Sequence, residues 1–222
     1  PTRFQGVCLH HDLGPLGTAV NRRATERQLE IMQDMGVNAI RTSHNPPSPE
    51  QVRLCDEMGL MIQIEAFDMW EKPKVENGYS KFFNEWHEQD LRDMIRAFRN
   101  SPSVVMWSIG NEILEQSDKI NGERIANELA MICKQEDPTR PTTAGFNYYP
   151  APIKNGLASA IDLVGWNYKP RKYAEITERH PNWIIYGSET SSTVSSRGVY
   201  HLPIEKYELH ESLQITSYDI IG

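Results

Sequence analysis

The stretch Ser103-Val-Val-Met-Trp-Ser-Ile-Gly-Asn-Glu112 decides the fold. Residues 104–109 form an apolar, β-prone run of the kind that makes a buried strand. Gly110 ends the run, and an amide and a carboxyl, Asn111 and Glu112, stand at its exit. Polar groups at the end of a buried strand generally face a site, because burial without partners is costly. The plainer alternative is that Glu112 opens the next helix, where a carboxylate suits the helix dipole.

Working outward, the same unit recurs on both sides. Toward the N-terminus lie a strand at 60–65 ending in Glu65, a helix from Ser48 to Met58 closed by Gly59, and a strand at 37–41 ending in Arg41. Ser48-Pro49 is a cap followed by a residue suited to the first turn. Helical spacing over 25–35, with Gly36 as its stop, and a first strand at 4–9 complete that side. A long amphipathic helix is expected over 82–99. Toward the C-terminus come a helix over 120–136, a strand at 142–145, a strand at 161–166 followed by Asn167 and Tyr168, a short helix over 173–179, and a strand at 183–187 before Glu189.

Seven apolar strands alternating with helices predict parallel α/β architecture. Polar clusters follow strands one, two, three, four, six and seven. A doubly wound sheet gathers such residues near one switch point, whereas a (β/α)₈ barrel gathers them all round one face. The expected fold is therefore a (β/α)₈ TIM barrel, with residues 1–222 as one catalytic domain. After strand seven a helix-like stretch at 204–213 leaves no room for an eighth strand and its helix, so the barrel is expected to be truncated. The opening Pro1-Thr-Arg-Phe runs straight into a strand, which suggests an excised piece.

Composition bounds the function. The 222 residues are 39% hydrophobic and 24% charged, as in ordinary globular proteins, and the net charge is −7. That charge argues against nucleic acid or an anionic membrane as partner. No apolar run approaches the roughly 20 residues that a membrane helix needs. Cys8, Cys55 and Cys133 are widely spaced and odd in number, so buried free thiols are expected rather than disulfides or a zinc ribbon.

Glu112 and Glu189, at the ends of strands four and seven, are the pair that retaining glycoside hydrolysis requires. One carboxyl protonates the leaving oxygen and later activates water; the other attacks the anomeric carbon, and the two carboxyls are expected about 5 to 5.5 Å apart. Asn111 is placed to hold a sugar 2-hydroxyl, and Tyr168 to hydrogen-bond the nucleophile. Trp70 and Trp166 offer flat faces for a sugar ring, with a core position as the alternative. Arg41 can orient Glu189 through a bidentate pair, while His10 and His44 can donate to sugar hydroxyls. Equally, Asn45-Pro-Pro47 can be a rigid turn and Arg41 a buried ion-pair partner. His10, His11, Asp12, His44 and Glu65 also resemble the ligand set of a barrel metallohydrolase, but neighbouring histidines on an extended strand point to opposite faces.

Arg41-Thr-Ser-His44-Asn-Pro-Pro, Leu54-Cys-Asp-Glu-Met-Gly-Leu, Ile64-Glu-Ala-Phe-Asp-Met-Trp70 and Trp107-Ser-Ile-Gly-Asn-Glu112 together resemble the catalytic barrel of family 2 glycoside hydrolases. That family contains β-galactosidases, β-glucuronidases and β-mannosidases, and the resemblance covers nearly the whole chain. It implies Glu112 as general acid/base, Glu189 as nucleophile, and Asn111, Tyr168, His10, Arg41 and His44 as active-site residues. It implies a carbohydrate substrate and no cofactor. A magnesium site of some members uses a Glu and a His shortly after strand three; Glu65-Ala-Phe-Asp-Met-Trp-Glu71 holds no His, and no metal is expected. Ser-Ile-Gly-Asn-Glu resembles the galactosidase and glucuronidase pattern more than that of the mannosidases. The expectation is a β-galactosidase, with a β-glucuronidase or β-mannosidase as alternatives, and a metal-dependent barrel hydrolase or a noncatalytic carbohydrate binder outside the class. The family's β-sandwich domains are absent from this stretch. A homo-oligomeric, soluble parent in the bacterial periplasm or cytoplasm is expected.

Overall fold

Short-range signals place most helix ends. In a computed structural model that describes residues 2–11 and 13–190, the Oγ of Ser48 accepts the amide of Gln51 at 3.2 Å and starts α2, Pro49–Met58. Gly59 closes it in the left-handed conformation, φ 73°, which a residue without a Cβ adopts at no steric cost. The helix α1 runs Arg22–Asp34, beginning earlier than the apolar spacing predicts because the Asn21 side chain caps Ala24 at 3.0 Å. The remaining helices are α3 (Ser80–Phe98), α4 (Asn121–Glu136), α5 (Ala151–Lys154) and α6 (Tyr173–Arg179).

The strands are β1 (Gly6–Leu9), β2 (Ala39–Thr42), β3 (Met61–Glu65), β4 (Val104–Asn111), β5 (Thr142–Phe146), β6 (Leu163–Asn167) and β7 (Ile184–Glu189). They form one sheet in sequence order, every neighbouring pair parallel. The predicted boundaries shift by one or two residues. Glu189 thus becomes the last residue of its strand rather than part of the following loop, and Glu65 ends β3 as expected. Glu112 directly follows β4 and does not open a helix; a 3-10 turn begins at Leu114.

The sheet curls. The hydroxyl of Tyr186 on β7 donates to Gln63 Oε1 on β3 at 3.0 Å and lies 3.1 Å from Thr143 Oγ1 on β5, so side chains from distant strands meet in the interior. The described residues supply seven strands of a (β/α)₈ barrel. Residues 191–222, including the helix expected at 204–213, lie outside the described part.

The core fills the layer between strands and helices, where Leu29, Leu54, Ile62, Leu91, Ile95, Ile125 and Leu129 are buried. Trp107 donates its indole N–H to Asp137 at 3.0 Å, satisfying the polar edge of a buried ring. Cys55 and Cys133 are buried free thiols, and Cys8 is half-buried. Among the described residues no helix is long and apolar enough to cross a membrane.

Candidate active site

The C-terminal ends of β2, β3, β4, β6 and β7 bring Arg41, Glu65, Asn111, Glu112, Asn167, Tyr168 and Glu189 together. A cavity of about 980 Å³ is lined by His10, Arg41, His44, Glu112, Tyr168 and Glu189 among others. The first and last strands among the described residues, β1 and β7, both border it.

Arg41 is the hub. Its Nη1 meets Glu189 Oε1 at 2.7 Å, and its Nη2 meets both Glu65 Oε2 at 2.7 Å and Asn111 Oδ1 at 2.9 Å. The expected bidentate pair with Glu189 is not formed; the guanidinium instead divides its donors between two carboxylates. Glu65 is fully buried, and burial alone would raise its pKa. The Arg41 charge and hydrogen bonds from His44 at 2.6 Å and Ser108 at 2.6 Å outweigh that, holding the carboxyl below its ordinary range.

Glu112 sits at φ 44° and Tyr168 at φ 57°, conformations that non-glycine residues seldom adopt and that cluster at functional sites. The Glu112 amide donates to Gly145 O at 2.8 Å, and the Tyr168 amide to Glu189 O at 2.7 Å, fixing both turns. Burial pushes the Glu112 carboxyl above the ordinary value. A hydrogen bond from Asn167 acts the other way, and the charge of Glu189 adds to the rise. The Tyr168 hydroxyl donates to Glu189 Oε2.

Asn167 joins the two carboxyls. Its Nδ2 lies 2.9 Å from Glu112 Oε1, 3.0 Å from Glu189 Oε1 and 3.1 Å from Asn111 Oδ1, three acceptors sharing two hydrogens. One nitrogen within reach of both carboxyls keeps those oxygens less than about 6 Å apart, too close to leave a water between them as an inverting mechanism needs. The Oδ1 of Asn167 accepts Ser188 Oγ at 2.6 Å. Gly145 makes room for this network, since a Cβ there would lie 3.0 Å from Asn167 Oδ1 and 3.1 Å from Arg41 Nη2.

His44 points Nδ1 at Glu65, with Nε2 3.7 Å from Glu189 Oε1. His10 meets His44 edge-on, ring centres 4.9 Å apart, and burial together with the His44 charge lowers its pKa. Trp70 and Trp166 require correction as sugar platforms. Both have 0% exposure; the Trp70 indole donates to Ile109 O at 2.8 Å, and Trp166 packs on Phe146 and Tyr149. Among the described residues no three His, Cys, Asp or Glu side chains are arranged to hold a metal ion, and Asp12 lies outside that part.

Sequence reading passed over Asn167 as a site residue and considered Glu65 only as a metal ligand. The signal for Asn167 was present: an amide in the last strand position followed by a polar residue, the pattern of Asn111-Glu112.

A family model described as the TIM barrel domain of glycosyl hydrolases family 2 matches residues 1–208. The chain belongs to that family. This family 2 chain is 41% identical to "Beta-galactosidase BoGH2A" of Bacteroides ovatus, over 92% of its own length and 28% of that protein's. It is 39% identical to a "Putative beta-glucuronidase" of Formosa agariphila, over 89% of its length and 18% of the relative's. A solved family 2 member from Bacteroides cellulosilyticus superposes with a TM-score of 0.79 at 40% identity, covering 83% of this chain and 24% of that one. The chain thus spans about a quarter of the length of its family 2 relatives.

Proposed function

We propose that residues 1–222 are the catalytic-barrel portion of a retaining exo-β-glycosidase that removes terminal β-D-galactosyl residues. The observation that carries this reading is the Asn167 amide held between the Glu112 and Glu189 carboxyls. Glu112, whose proton is retained more firmly than usual, gives it to the glycosidic oxygen as the carbon–oxygen bond breaks. Glu189, oriented by Arg41 and Tyr168, attacks the anomeric carbon and forms a glycosyl ester. Glu112, now a carboxylate, takes a proton from water, which displaces Glu189 and releases the sugar.

Asn111 uses one amide hydrogen on Asp68 at 3.2 Å, which leaves its second for the sugar 2-hydroxyl. His10 and His44, at the cavity wall, serve as donors to other hydroxyls. The galactosidase assignment draws on the Bacteroides ovatus relative; the Formosa agariphila relative supports β-glucuronide cleavage as the second reading.

The test is hydrolysis of aryl β-galactoside, β-glucuronide and β-mannoside by the longest natural protein containing this chain, beside its Glu112→Ala and Glu189→Ala variants. The expected result is turnover of the galactoside, lost in both variants. Turnover that survives in Glu189→Ala removes the nucleophile assignment, and cleavage of the glucuronide alone changes the sugar.

A further inference from the structure

Glu112 stands at φ 44°, so the turn that carries it must be held by its surroundings. The peptide that joins Asn111 to Glu112 is bonded at both of its polar ends. Its N–H donates to Gly145 O at 2.8 Å, and its carbonyl, Asn111 O, accepts the ammonium of Lys74 at 2.7 Å. The same ammonium meets Asp68 Oδ1 at 2.8 Å, and that oxygen also accepts Asn111 Nδ2 at 3.2 Å. A lysine is thus fastened directly to the backbone that leads into Glu112.

The segment between β3 and α3 that delivers this lysine is itself anchored. The Trp70 indole donates to Ile109 O at 2.8 Å, the Lys72 amide to Glu115 Oε1 at 2.7 Å, and the Lys72 ammonium to Asp118 Oδ2 at 2.7 Å. These acceptors lie shortly before and shortly after Glu112 in the chain. Holding a lysine costs rotamer entropy, and a side chain only 19% exposed with two acceptors has already met that cost before substrate arrives. An ammonium largely withdrawn from water acts on a nearby charge more strongly than one in solvent.

Charged groups face the Glu112 carboxyl from several elements. Glu189 at the end of β7 opposes its ionisation; Lys74, His44 after β2 and Lys169 after β6 favour it. Lys74 differs from the other two in also holding the Asn111–Glu112 peptide. We propose that Lys74 is the positioning residue of the acid/base: it fixes the peptide that aims the Glu112 carboxyl at the glycosidic oxygen, and its charge stabilises the carboxylate left when that oxygen takes the proton. This rests on the assignment of Glu112 as the acid/base. The proton moves from Glu112 to the leaving oxygen, and Lys74 keeps its own protons throughout.

The experiment measures kcat and KM against pH for an alkyl β-glycoside, whose poor leaving group makes protonation matter. It uses the longest natural protein containing this chain, with Lys74→Met, Lys74→Arg and Asp68→Asn beside wild type. Without the positive charge Glu112 holds its proton to higher pH, so the basic limb of kcat/KM moves upward in Lys74→Met and keeps its place in Lys74→Arg. In Lys74→Met kcat is expected to fall about 10- to 100-fold, with KM changed less than about threefold. Asp68→Asn removes a negative charge from beside the ammonium and moves the limb to lower pH, an opposite shift that general damage to the fold does not produce. A limb unmoved in Lys74→Met, or moved equally in Lys74→Met and Lys74→Arg, overturns the proposal while the glycosidase reading stands. If Lys74→Met does not fold, Asp68→Asn decides: a shift to lower pH supports the proposal, and no shift or an upward one overturns it. Wild type that turns over no β-glycoside, or turnover that survives in Glu112→Ala, removes the acid/base assignment and this inference with it.

Discussion

Arg41 on β2 and Glu189 on β7 form a 2.7 Å ion pair although four strands lie between theirs in the sheet. Both side chains are largely buried, at 5% and 10% exposure. The pair therefore reports the curl of the sheet and orients one of the two catalytic candidates. Its second arm, to Glu65, makes the arginine a bridge that a single charge on a flexible stem cannot replace.

Arg41→Lys should consequently lose most activity while keeping its charge. Arg41→Met, which leaves Glu65 buried without its main counter-charge, should destabilise the fold by roughly 3–5 kcal/mol. Urea unfolding of the two variants beside wild type measures this; equal stability in all three would place the arginine outside the structural network.

Asn167 is expected to matter to the reaction more than to the fold. Asn167→Ala removes the donor shared by Glu112 and Glu189 and should lower kcat/KM by about 10²- to 10³-fold with circular dichroism unchanged. Asn167→Asp sets a third carboxyl beside the pair. It should push the Glu112 proton loss to higher pH, visible as an upward shift of the basic limb of the kcat/KM profile.

Glu112→Gln should stabilise the protein at neutral pH while abolishing turnover. Burial raises the Glu112 pKa in the folded state. At low pH the carboxyl is neutral in both states and costs nothing. As pH rises past the ordinary carboxylate value the unfolded chain ionises first, and stability falls until pH passes the folded value. The amide never ionises. Thermal melts should therefore show Glu112→Gln above wild type at pH 7, with the two converging below the ordinary carboxylate range.

Trp70→Phe separates a core role from a sugar-binding one. The variant loses the indole bond to Ile109 and some buried volume, so its unfolding free energy should fall by about 1–3 kcal/mol, read from a lower denaturation midpoint. KM for the preferred glycoside should stay within twofold of wild type. A large rise in KM with unchanged stability would return Trp70 to the binding site.

Much of the fold was legible in local chemistry. Ser48-Pro49 and Gly59 mark the two ends of α2 as the structure has them, and the run before Gly110 is a strand buried along nearly its whole length. The carboxyls at the exits of β4 and β7 stood out because charge at the end of an apolar strand needs a reason. The Trp166-Asn167-Tyr168 segment was harder. Strands in a parallel sheet covered on both faces are apolar throughout, so the phase of their alternation leaves little trace. Trp166 therefore stood as a binding candidate although its ring lies in the core, while its neighbour Asn167 bonds both carboxyls.

The sequence by itself determined the order of strands and helices, their approximate ends, and which residue types stand at the strand exits. These follow from capping, periodicity and apolar runs, interactions that span only a few residues. Only the tertiary structure decided which groups meet: that Arg41 splits its donors between Glu65 and Glu189, that one amide of Asn167 serves both Glu112 and Glu189, and that two tryptophans belong to the core. Those pairings join residues far apart in the chain. Sheet curvature and strand phase set them, and both emerge only when the whole sheet has packed.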